Sequence, residues 1–242
     1  NIELCLSDDN SSFPNVRKTL ERYASDERVK VVFRSENGRI SRNTNSALEV
    51  ATGEFCALLD CDDTLAPFAL YEVVKKLNEN NTLDFIYSDE DKIDDDGKER
   101  RMPHFKPDWS PDTFFSHMYT CHLGVYRTSL IRKIGGFRPE CDGSQDYDLT
   151  LRFTEQTTPD RIAHIPLILY HWRERVESTS ADIEAKPYVI EAARKAKEDA
   201  LRRRNVRADL EYLPTRYQWR VNYIPQGFPL ISIIIPSKDH PD

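Results

Sequence analysis

The sequence predicts an α/β protein whose central sheet is mostly parallel and is covered by helices on both faces. Apolar stretches of strand length alternate along the chain with helical patterns, which is typical of parallel sheets. Acidic clusters follow several of these stretches, as is common where strand ends carry a ligand site. Beyond residue 180 the chain becomes rich in Ala, Glu, Lys and Arg, which predicts a long C-terminal helix.

The individual elements follow from local apolar patterns and from the residues that end them. Gly53 closes a helical grouping over 41–51, and Pro67 suits the first turn of the next helix. In chain order we expect strands at 2–6, 29–33, 55–59, 84–88, 122–126 and 162–170, and helices at 14–24, 41–51, 67–78, 129–134 and 144–155. Towards the C-terminus we expect a helix at 184–204, a hairpin over 206–223 and a strand of the fully buried type at 229–236.

Composition and charge exclude several classes of protein. Hydrophobic residues make up 39% of the 242 residues and charged residues 31%, which is ordinary for a globular protein. No apolar run approaches the roughly 20 residues that a membrane-spanning helix needs. A net charge of −7 without a dominant basic patch indicates no nucleic-acid partner. Scattered cysteines favour a reducing compartment, so we expect a cytoplasmic location, with a peripheral position at the inner face of the cell membrane as an alternative.

The most informative stretch is residues 55–67, where an apolar strand delivers Asp60, Asp62 and Asp63 to one point. Three carboxylates this close repel one another unless a cation lies between them. Mg²⁺ and Mn²⁺ prefer oxygen ligands and leave positions for the phosphates of a substrate. The cluster therefore predicts a site for Mn²⁺ or Mg²⁺ and a phosphorylated substrate, and a solvated acidic turn is the alternative.

Two more acidic clusters follow predicted strands, one at Asp8 and Asp9 and one over residues 88–91. In a parallel sheet all three clusters would share one edge, which suits a nucleotide and its metal ion. Asp8 or Asp9 would accept hydrogen bonds from a base or ribose. The alternative is a turn whose acidic side chains satisfy backbone donors.

Asp146 lies in the first turn of the predicted 144–155 helix. It suits a general base that is ionised at neutral pH, although an acid at this position often only caps the helix dipole. His171 and Arg173 follow the predicted 162–170 strand and are candidates for phosphate contact, with ordinary surface residues as the alternative.

Five short segments occur in a defined order: residues 6–11, residues 37–45 with 51–55, Asp60 to Asp63, Gln145 with Asp146, and residues 171–173 with 178–180. In this order they resemble motifs of the family 2 glycosyltransferases with the GT-A fold. The motifs are a nucleotide-binding Asp-Asp-Gly-Ser element, the segment leading to the metal motif, the Asp-X-Asp metal motif, the acidic pair that holds the catalytic base, and the loop over the diphosphate. Residues 88–92, 105–111 and 185–188 resemble the bacterial surface-polysaccharide branch.

The resemblance implies transfer of a sugar from a UDP- or dTDP-linked donor to a hydroxyl of a glycan or lipid-linked glycan. The reaction would need Mn²⁺ or Mg²⁺ and would invert the anomeric configuration. The implied residues are Asp146 as catalytic base; Asp8, Asp9, Asn37, Ser41 and Asp60 for the nucleotide; Asp60, Asp62 and His171 for the metal; and Asp63, Gln145, His171 and Arg173 for the diphosphate or acceptor.

Three positions depart from the family's pattern. Asn10 replaces a Gly in the first motif, and Gln145 replaces the usual acid before the base. Arg39 replaces a small residue near the nucleotide, which leaves the base open. None of these changes removes a carboxylate on which the predicted site depends.

The ends of the chain suggest a fragment of a tandem enzyme. Family members begin with a strand of the type Val-Ser-Ile-Ile-Ile-Pro, and residues 230–236 resemble that strand. We expect residues 1–180 to form a GT-A domain lacking its first strand, 181–228 a helix and hairpin extension, and 229–242 the first strand of a following domain. We expect that strand to pair beside residues 2–6, within the chain or by exchange with a second copy or a neighbouring glycosyltransferase domain.

Two other functions fit parts of the sequence. Residues 58–65 match the Asp-X-Asp-X-Thr start of haloacid-dehalogenase-like phosphatases, in which Asp60 would be the nucleophile and Asp62 an acid or base. Against this, Asp63 stands where those enzymes have Gly, and about 55 residues precede a strand that usually opens their fold. The third possibility is an inactive fragment that binds nucleotide weakly or serves as a scaffold.

Overall fold

A computed structural model describes residues 2–174 and 187–239. The strands within these ranges are β1 (Leu4–Asp8), β2 (Val29–Phe33), β3 (Phe55–Ala57), β4 (Thr64–Leu65), β5 (Phe85–Ile93), β6 (Arg100–His104), β7 (Gly124–Arg127), β8 (Ile162–Arg173), β9 (Ala208–Leu213) and β10 (Gln218–Tyr223). The helices are α1 (Pro14–Tyr23), α2 (Arg39–Val50), α3 (Ala69–Glu79), α4 (Pro111–Ser116), α5 (Thr128–Lys133), α6 (Gln145–Thr154) and α7 (Pro187–Arg203). None of these described helices is both long and apolar enough to span a membrane.

The central sheet has the strand order β3-β7-β5-β8-β4, with β6 paired to β5. β1 and β2 form a separate parallel pair, and β9 and β10 form a hairpin. The predicted α/β class is confirmed, but the sheet is mixed where we expected mostly parallel strands. In the central sheet β5 and β8 are parallel, whereas β7 runs antiparallel to β3 and β5. After β5 the chain forms its antiparallel partner β6 and then α4 before it enters β7, and alternating elements in a sequence do not reveal these strand directions.

Helices cover both faces of this sheet because the central strands are apolar on both sides. Along β5, Phe85 faces the layer of α4, α6 and α7, and Ile86 faces α3. Phe85 stacks on Tyr126 with ring centroids 4.5 Å apart on the first face. On the other face Ile86 is buried with Val73 of α3. Two hydrophobic clusters therefore hold the strand ends in place.

Most expected elements are present, but β4, β6 and α4 were not predicted, and two strands are longer than expected. β2 has the predicted bounds, and the helices start or end within a few residues of the expected positions. β5 continues through the acidic cluster at residues 89–91 to Ile93, and β8 continues to Arg173. The two continuations pair with each other in parallel. This pairing supplies the backbone hydrogen bonds of a polar stretch that the sequence alone does not indicate as a strand.

The C-terminal helix and hairpin lie where predicted and pack onto the sheet layer. Ala196 and Ala200 of α7 belong to the same buried cluster as Leu149 of α6. Trp219 of β10 is buried, and its carbonyl accepts a hydrogen bond of 2.8 Å from the Ser116 hydroxyl. The expected boundary near residue 180 and the motif at 178–180 lie outside the described residues.

Residues 229–238 do not form the expected strand in this structure. Their apolar side chains are exposed to 77–96% of their area: Leu230, Ile231, Ile233, Ile234 and Ile235. In this structure the segment therefore does not pair beside β1 within the chain. Exchange of the segment with a second copy or a neighbouring domain stays a prediction.

Candidate active site

The acidic loop between β3 and β4 is held by the side chain of Asp63. Its Oδ2 accepts a hydrogen bond of 2.5 Å from the Tyr170 hydroxyl, and its Oδ1 accepts one of 2.7 Å from the Arg173 amide. The Tyr170 hydroxyl in turn accepts a hydrogen bond of 3.3 Å from the Asp60 amide. Asp63 therefore anchors the loop to β8, and its predicted contact with a diphosphate or acceptor stays a prediction.

The guanidinium of Arg173 also serves the loop. Its Nε donates to the Asp62 carbonyl at 2.7 Å, and its Nη1 donates to the carbonyls of Asp95 at 2.7 Å and Asp94 at 3.2 Å. These bonds tie the acidic loop to the turn after β5. In this arrangement Arg173 orients the loop, and diphosphate contact by Arg173 stays a prediction.

His171 lies on β8, whereas the sequence predicted that it follows the strand. Its Nδ1 is 2.5 Å from Oδ1 of Asp91, whose Oδ2 lies 2.6 Å from Nε of Arg100. A carboxylate on one ring nitrogen fixes the tautomer of a histidine and directs the other nitrogen to a ligand. Nε2 is therefore the atom through which His171 would bind a metal or phosphate.

The third acidic cluster, residues 89–91, is buried inside β5 and is not at a strand end. Each carboxylate lies against a basic side chain: Asp89 at 2.8 Å from His164, Glu90 at 3.3 Å from Lys106, and Asp91 at 2.6 Å from Arg100. The expectation that this cluster shares a ligand-binding edge with the other two is wrong. Burial of charge requires pairing, and these partners lie too far along the chain for a local pattern to indicate them.

The end of β1 brings Asp9 and Asn37 together, as predicted for a nucleotide site. Oδ1 of Asp9 accepts a hydrogen bond of 2.8 Å from the Gly38 amide, and the Asn37 side chain donates to the Asp9 carbonyl at 3.3 Å. Asp8 is buried, and its Oδ2 accepts a bond of 3.3 Å from the Ser11 amide. Asn10 adopts φ of 61°, a left-handed conformation that Asn tolerates and that suits the Gly of the family motif.

Ser41 does not line this site. Its side chain is fully buried, its hydroxyl donates to the Arg138 carbonyl at 3.2 Å, and its amide donates to Asp142 at 3.2 Å. These bonds pack α2 against the short 3-10 helix Pro139–Cys141. The prediction that Ser41 binds the nucleotide is therefore not supported, since a polar residue near a motif can equally satisfy backbone groups.

Asp146 and Gln145 begin α6. Oδ1 of Asp146 accepts a hydrogen bond of 2.7 Å from the Tyr147 amide, and Oε1 of Gln145 accepts one of 2.9 Å from the Gly143 amide. Ser144 is the N-cap residue of α6, but its side chain does not cap the helix, because its hydroxyl donates to the Val189 carbonyl at 3.1 Å. Burial raises the pKa of the Asp146 carboxyl, and the charge of His122 and the Tyr147 amide oppose that rise.

Asp60 and Asp146 lie close enough for their charges to interact, and we call the region around them the acidic cleft. Burial raises the pKa of the Asp60 carboxyl; the nearby His122 lowers it, and the charges of Asp63, Asp146 and Asp62 raise it. Like charges collected at one point are costly, and a divalent cation would remove that cost.

Within the described residues the ligand atoms of Asp60, Asp62 and His171 do not gather at metal-ligand spacing, whereas those of Glu90, His104 and Cys121 lie within 4.8 Å of one another. Binding of Mn²⁺ or Mg²⁺ by Asp60, Asp62 and His171 therefore stays a prediction.

Two aromatic residues of this cleft were not predicted from the sequence. The His122 ring stacks on Tyr170 with centroids 4.5 Å apart and planes inclined by 15°. Tyr170 is buried and closes an apolar strand, so it resembles an ordinary core residue in the sequence. His122 is an isolated histidine before a strand, and no spacing in the sequence singles it out.

This chain is similar to several known proteins. The family described as glycosyl transferase family 2 matches residues 1–135. The uncharacterized protein y4gI of Sinorhizobium fredii is 45% identical over 242 residues, which cover 99% of this chain and 26% of y4gI. The O-antigen biosynthesis protein RfbC of Myxococcus xanthus is 37% identical over 241 residues, covering 99% of this chain and 19% of RfbC. The chain thus spans about a quarter or less of these relatives.

Among solved structures, S. aureus TarS 1–349 in complex with UDP-GlcNAc has a TM-score of 0.60 and 21% identity. The match covers 80% of this chain and 56% of that one. This similarity shows that the mixed sheet and its helices form the GT-A fold. Because the family match extends over more than half of its residues, this chain belongs to glycosyl transferase family 2.

Proposed function

We propose that this chain transfers a sugar from a nucleoside-diphosphate sugar to a glycan hydroxyl, with inversion and with a divalent cation. The observation that supports the proposal is the electrostatic interaction between Asp60 and Asp146 in a chain of family 2. A carboxylate-bound cation and a second carboxylate beside it are what in-line sugar transfer needs. We place the reaction in bacterial surface-polysaccharide synthesis because RfbC is named for O-antigen biosynthesis.

The donor we propose is UDP- or dTDP-linked. Related TarS structures hold UDP-GlcNAc or UDP, and the end of β1 offers Asp9 and Asn37 for a base or ribose. The acceptor we propose is a glycan or a lipid-linked glycan. A cytoplasmic enzyme at the inner face of the membrane would meet both substrates.

Asp60, Asp62 and Nε2 of His171 would hold Mn²⁺ or Mg²⁺. When bound, the cation would act as a Lewis acid that offsets charge on the departing diphosphate. The chain's own contribution is to orient these ligands: Asp63 and Arg173 fix the loop, and Asp91 fixes the His171 ring.

Asp146 would act as the general base. Its Oδ1 is occupied by the Tyr147 amide, so Oδ2 would take the proton from the acceptor hydroxyl. Burial raises the pKa of this carboxyl, which makes its carboxylate a stronger base. Attack from the face opposite the diphosphate inverts the anomeric carbon.

Membership of family 2 disfavours the phosphatase alternative, and the scaffold alternative becomes an outcome of the test. We would screen UDP, dTDP and their glucose and N-acetylglucosamine conjugates by thermal shift with Mn²⁺, then measure affinities by calorimetry. We expect binding that Asp62→Asn weakens by about tenfold or more. Asp160→Asn, an exposed acid outside the cleft, is the matched control.

Three results would contradict the proposal. Nucleotide binding that depends on neither Mn²⁺ nor Asp62 would contradict the proposed metal site. Release of phosphate from p-nitrophenyl phosphate would favour the phosphatase. If the chain binds nucleotide but neither hydrolyses the donor nor transfers its sugar, only the scaffold function remains.

A further inference from the structure

A carboxylate, an imidazole and a thiol from three separate parts of the chain meet at one point. Glu90 lies on β5, His104 ends β6, and Cys121 lies in the segment between α4 and β7. One ligand atom of each residue lies within 4.8 Å of the other two, and the described residues hold no other group of this kind. Oxygen, nitrogen and sulfur donors together are a ligand set typical of Zn²⁺.

The antiparallel pairing of β5 with β6 brings Glu90 and His104 together. They are direct partners in the register, so their side chains share one face of the paired strands. Oε1 of Glu90 lies 3.3 Å from Nδ1 of His104. The other oxygen, Oε2, accepts hydrogen bonds from Lys106 at 3.3 Å and from the His122 amide at 2.8 Å. These bonds fix the carboxylate with Oε1 towards the imidazole.

A buried lysine holds the backbone of Cys121 beside this pair. Nζ of Lys106 donates to the carbonyls on either side of the cysteine, at 2.7 Å to Thr120 and also to His122. The Lys106 side chain is fully buried, so these bonds are shielded from water. Ligands whose positions are fixed by surrounding hydrogen bonds are characteristic of metal sites.

The spacing of the three ligand atoms suits one small cation. In a tetrahedral zinc site with bonds of about 2.0–2.3 Å, the ligand atoms lie about 3.3–3.8 Å apart, so movements of about 1 Å would bring these three onto one ion. The His104 side chain is 40% exposed, which gives the ion and a water molecule as fourth ligand a path from solvent.

Charge at the site also suits a divalent cation bound by a thiolate. The Cys121 thiol donates to the Met118 carbonyl at 2.9 Å, and on metal binding its proton would pass to solvent. Zn²⁺ would then meet two anionic ligands, the thiolate and the Glu90 carboxylate, and one neutral imidazole. Lys106 stays on the other oxygen of Glu90 and donates to no other atom of this ligand set.

We propose that Glu90, His104 and Cys121 form a zinc site. It shares no residue with the predicted Mn²⁺ or Mg²⁺ ligands of the acidic loop, and its thiolate and imidazole select Zn²⁺ over those harder cations. Bound Zn²⁺ would connect the end of β6 to the segment before β7. A simple ion pair of Glu90 with His104, with the thiol as a bystander, is the alternative that the test decides.

The test titrates the intact chain with Zn²⁺ by calorimetry and with Co²⁺ by absorption, under reducing conditions and without nucleotide. Co²⁺ occupies zinc sites, and its bond to a thiolate absorbs in the near ultraviolet. We expect about one tightly bound Zn²⁺ per chain. Cys121→Ser should abolish the Co²⁺–thiolate band, and both Cys121→Ser and His104→Asn should weaken Zn²⁺ binding about tenfold or more. Mn²⁺ in about hundredfold excess should leave the band in place.

Cys5→Ser is the matched control, since Cys5 is another half-buried cysteine and lies on β1. Asp62→Asn separates the zinc site from the acidic loop, and the Co²⁺–thiolate band should be unchanged in both variants. A band that is absent from the unmodified chain, or that persists in Cys121→Ser, would overturn the proposal. So would loss of Zn²⁺ binding in Asp62→Asn alone, which would assign the ion to the acidic loop.

The outcome is independent of sugar transfer, which is tested by nucleotide binding in Mn²⁺. If circular dichroism shows that Cys121→Ser does not fold, the partly exposed His104 decides the same question. Unchanged Zn²⁺ affinity of folded His104→Asn would then overturn the zinc site, and a loss of about tenfold would support it.

Discussion

At Asp146 two local effects act in opposite directions on one carboxyl. Burial raises its pKa, while the Tyr147 amide at 2.7 Å and the nearby His122 stabilise the charged form. The sequence shows only the second kind of effect, an acid in the first turn of a helix. Burial depends on what covers the helix end, and burial is the effect that makes the Asp146 carboxylate a stronger base.

We predict that Asp146→Asn lowers turnover by about 100-fold or more and leaves donor affinity near normal. Because burial raises the pKa of this carboxyl, its charge destabilises the folded state at neutral pH, and the neutral amide should raise Tm by about 2–4 °C. Donor hydrolysis, calorimetry and thermal unfolding test the three parts. Unchanged turnover would remove the base assignment.

The pH dependence of kcat/KM follows from the same raised pKa. Protonated Asp146 cannot accept a proton, so activity should be lost as pH falls through its folded-state pKa. The acid limb should therefore lie above 3.8, the ordinary value for Asp. A pH profile of donor hydrolysis at constant ionic strength tests this, and an acid limb at or below the ordinary value would contradict it.

At the scale of elements, β8 serves the site more than its apolar sequence suggests. Tyr170 holds the acidic loop by its hydroxyl, His171 is oriented by Asp91, and Arg173 binds the loop's backbone. Tyr170 is fully buried in the cluster that also contains Leu169 of β8. The strand thus works as a support for the metal ligands.

We predict that Tyr170→Phe raises the Mn²⁺ concentration needed for half-maximal activity by about tenfold. The phenyl ring keeps the stack with His122, and only the bonds to Asp63 and the Asp60 amide are lost. A Mn²⁺ titration of donor hydrolysis measures the effect. Tyr71→Phe on the exposed face of α3 is the control, and the same Mn²⁺ dependence in both variants would refute the supporting role.

α6 is fixed by a buried carboxylate with two basic partners. Asp148 is fully buried, with its oxygens 2.5 Å from Nη2 of Arg138 and 2.8 Å from the Arg152 guanidinium. We predict that Asp148→Asn lowers the free energy of unfolding by about 3 kcal/mol, because it removes the counter-charge of the buried Arg152 guanidinium and one of the carboxylates paired with Arg138. Urea unfolding measures this.

The control for that variant is Glu21→Gln, which removes an exposed pair with Arg17 at 2.9 Å. Its cost should stay below about 0.5 kcal/mol. Similar costs for the two variants would show that Asp148 does not anchor the helix.

At the scale of the whole molecule, the free edge of β1 and the apolar segment 230–235 both lack a neighbouring strand among the described residues. β1 is paired with β2 alone among the described strands, and residues 230–235 expose a row of apolar side chains. An unpaired edge and a free apolar segment favour association between chains. Exchange of this segment onto a second copy is the arrangement that we propose.

We predict that this chain self-associates at about 50 µM and that the double variant Ile233→Lys, Ile235→Lys is mainly monomeric. Charges at alternate positions of the segment prevent it from pairing as a buried strand. Light scattering after size-exclusion chromatography measures the mass. Val206→Lys, another exposed apolar position, is the control, and equal masses for all three proteins would contradict the prediction.

The sequence by itself determined the α/β class, the places of most elements, and the acids at strand and helix ends, such as Asp60, Asp62 and Asp146. These features depend on local periodicity and on residues adjacent in the chain. The family resemblance came from such short motifs in order, and the family is confirmed.

Only the tertiary structure decided strand direction, the burial of Ser41, the pairing of residues 89–91 and the place of His122. Each of these depends on partners far along the chain: Ser41 meets Arg138, Asp91 meets His171, and His122 meets Tyr170. Local patterns carry no record of such contacts, because desolvation and pairing arise only when distant segments pack together.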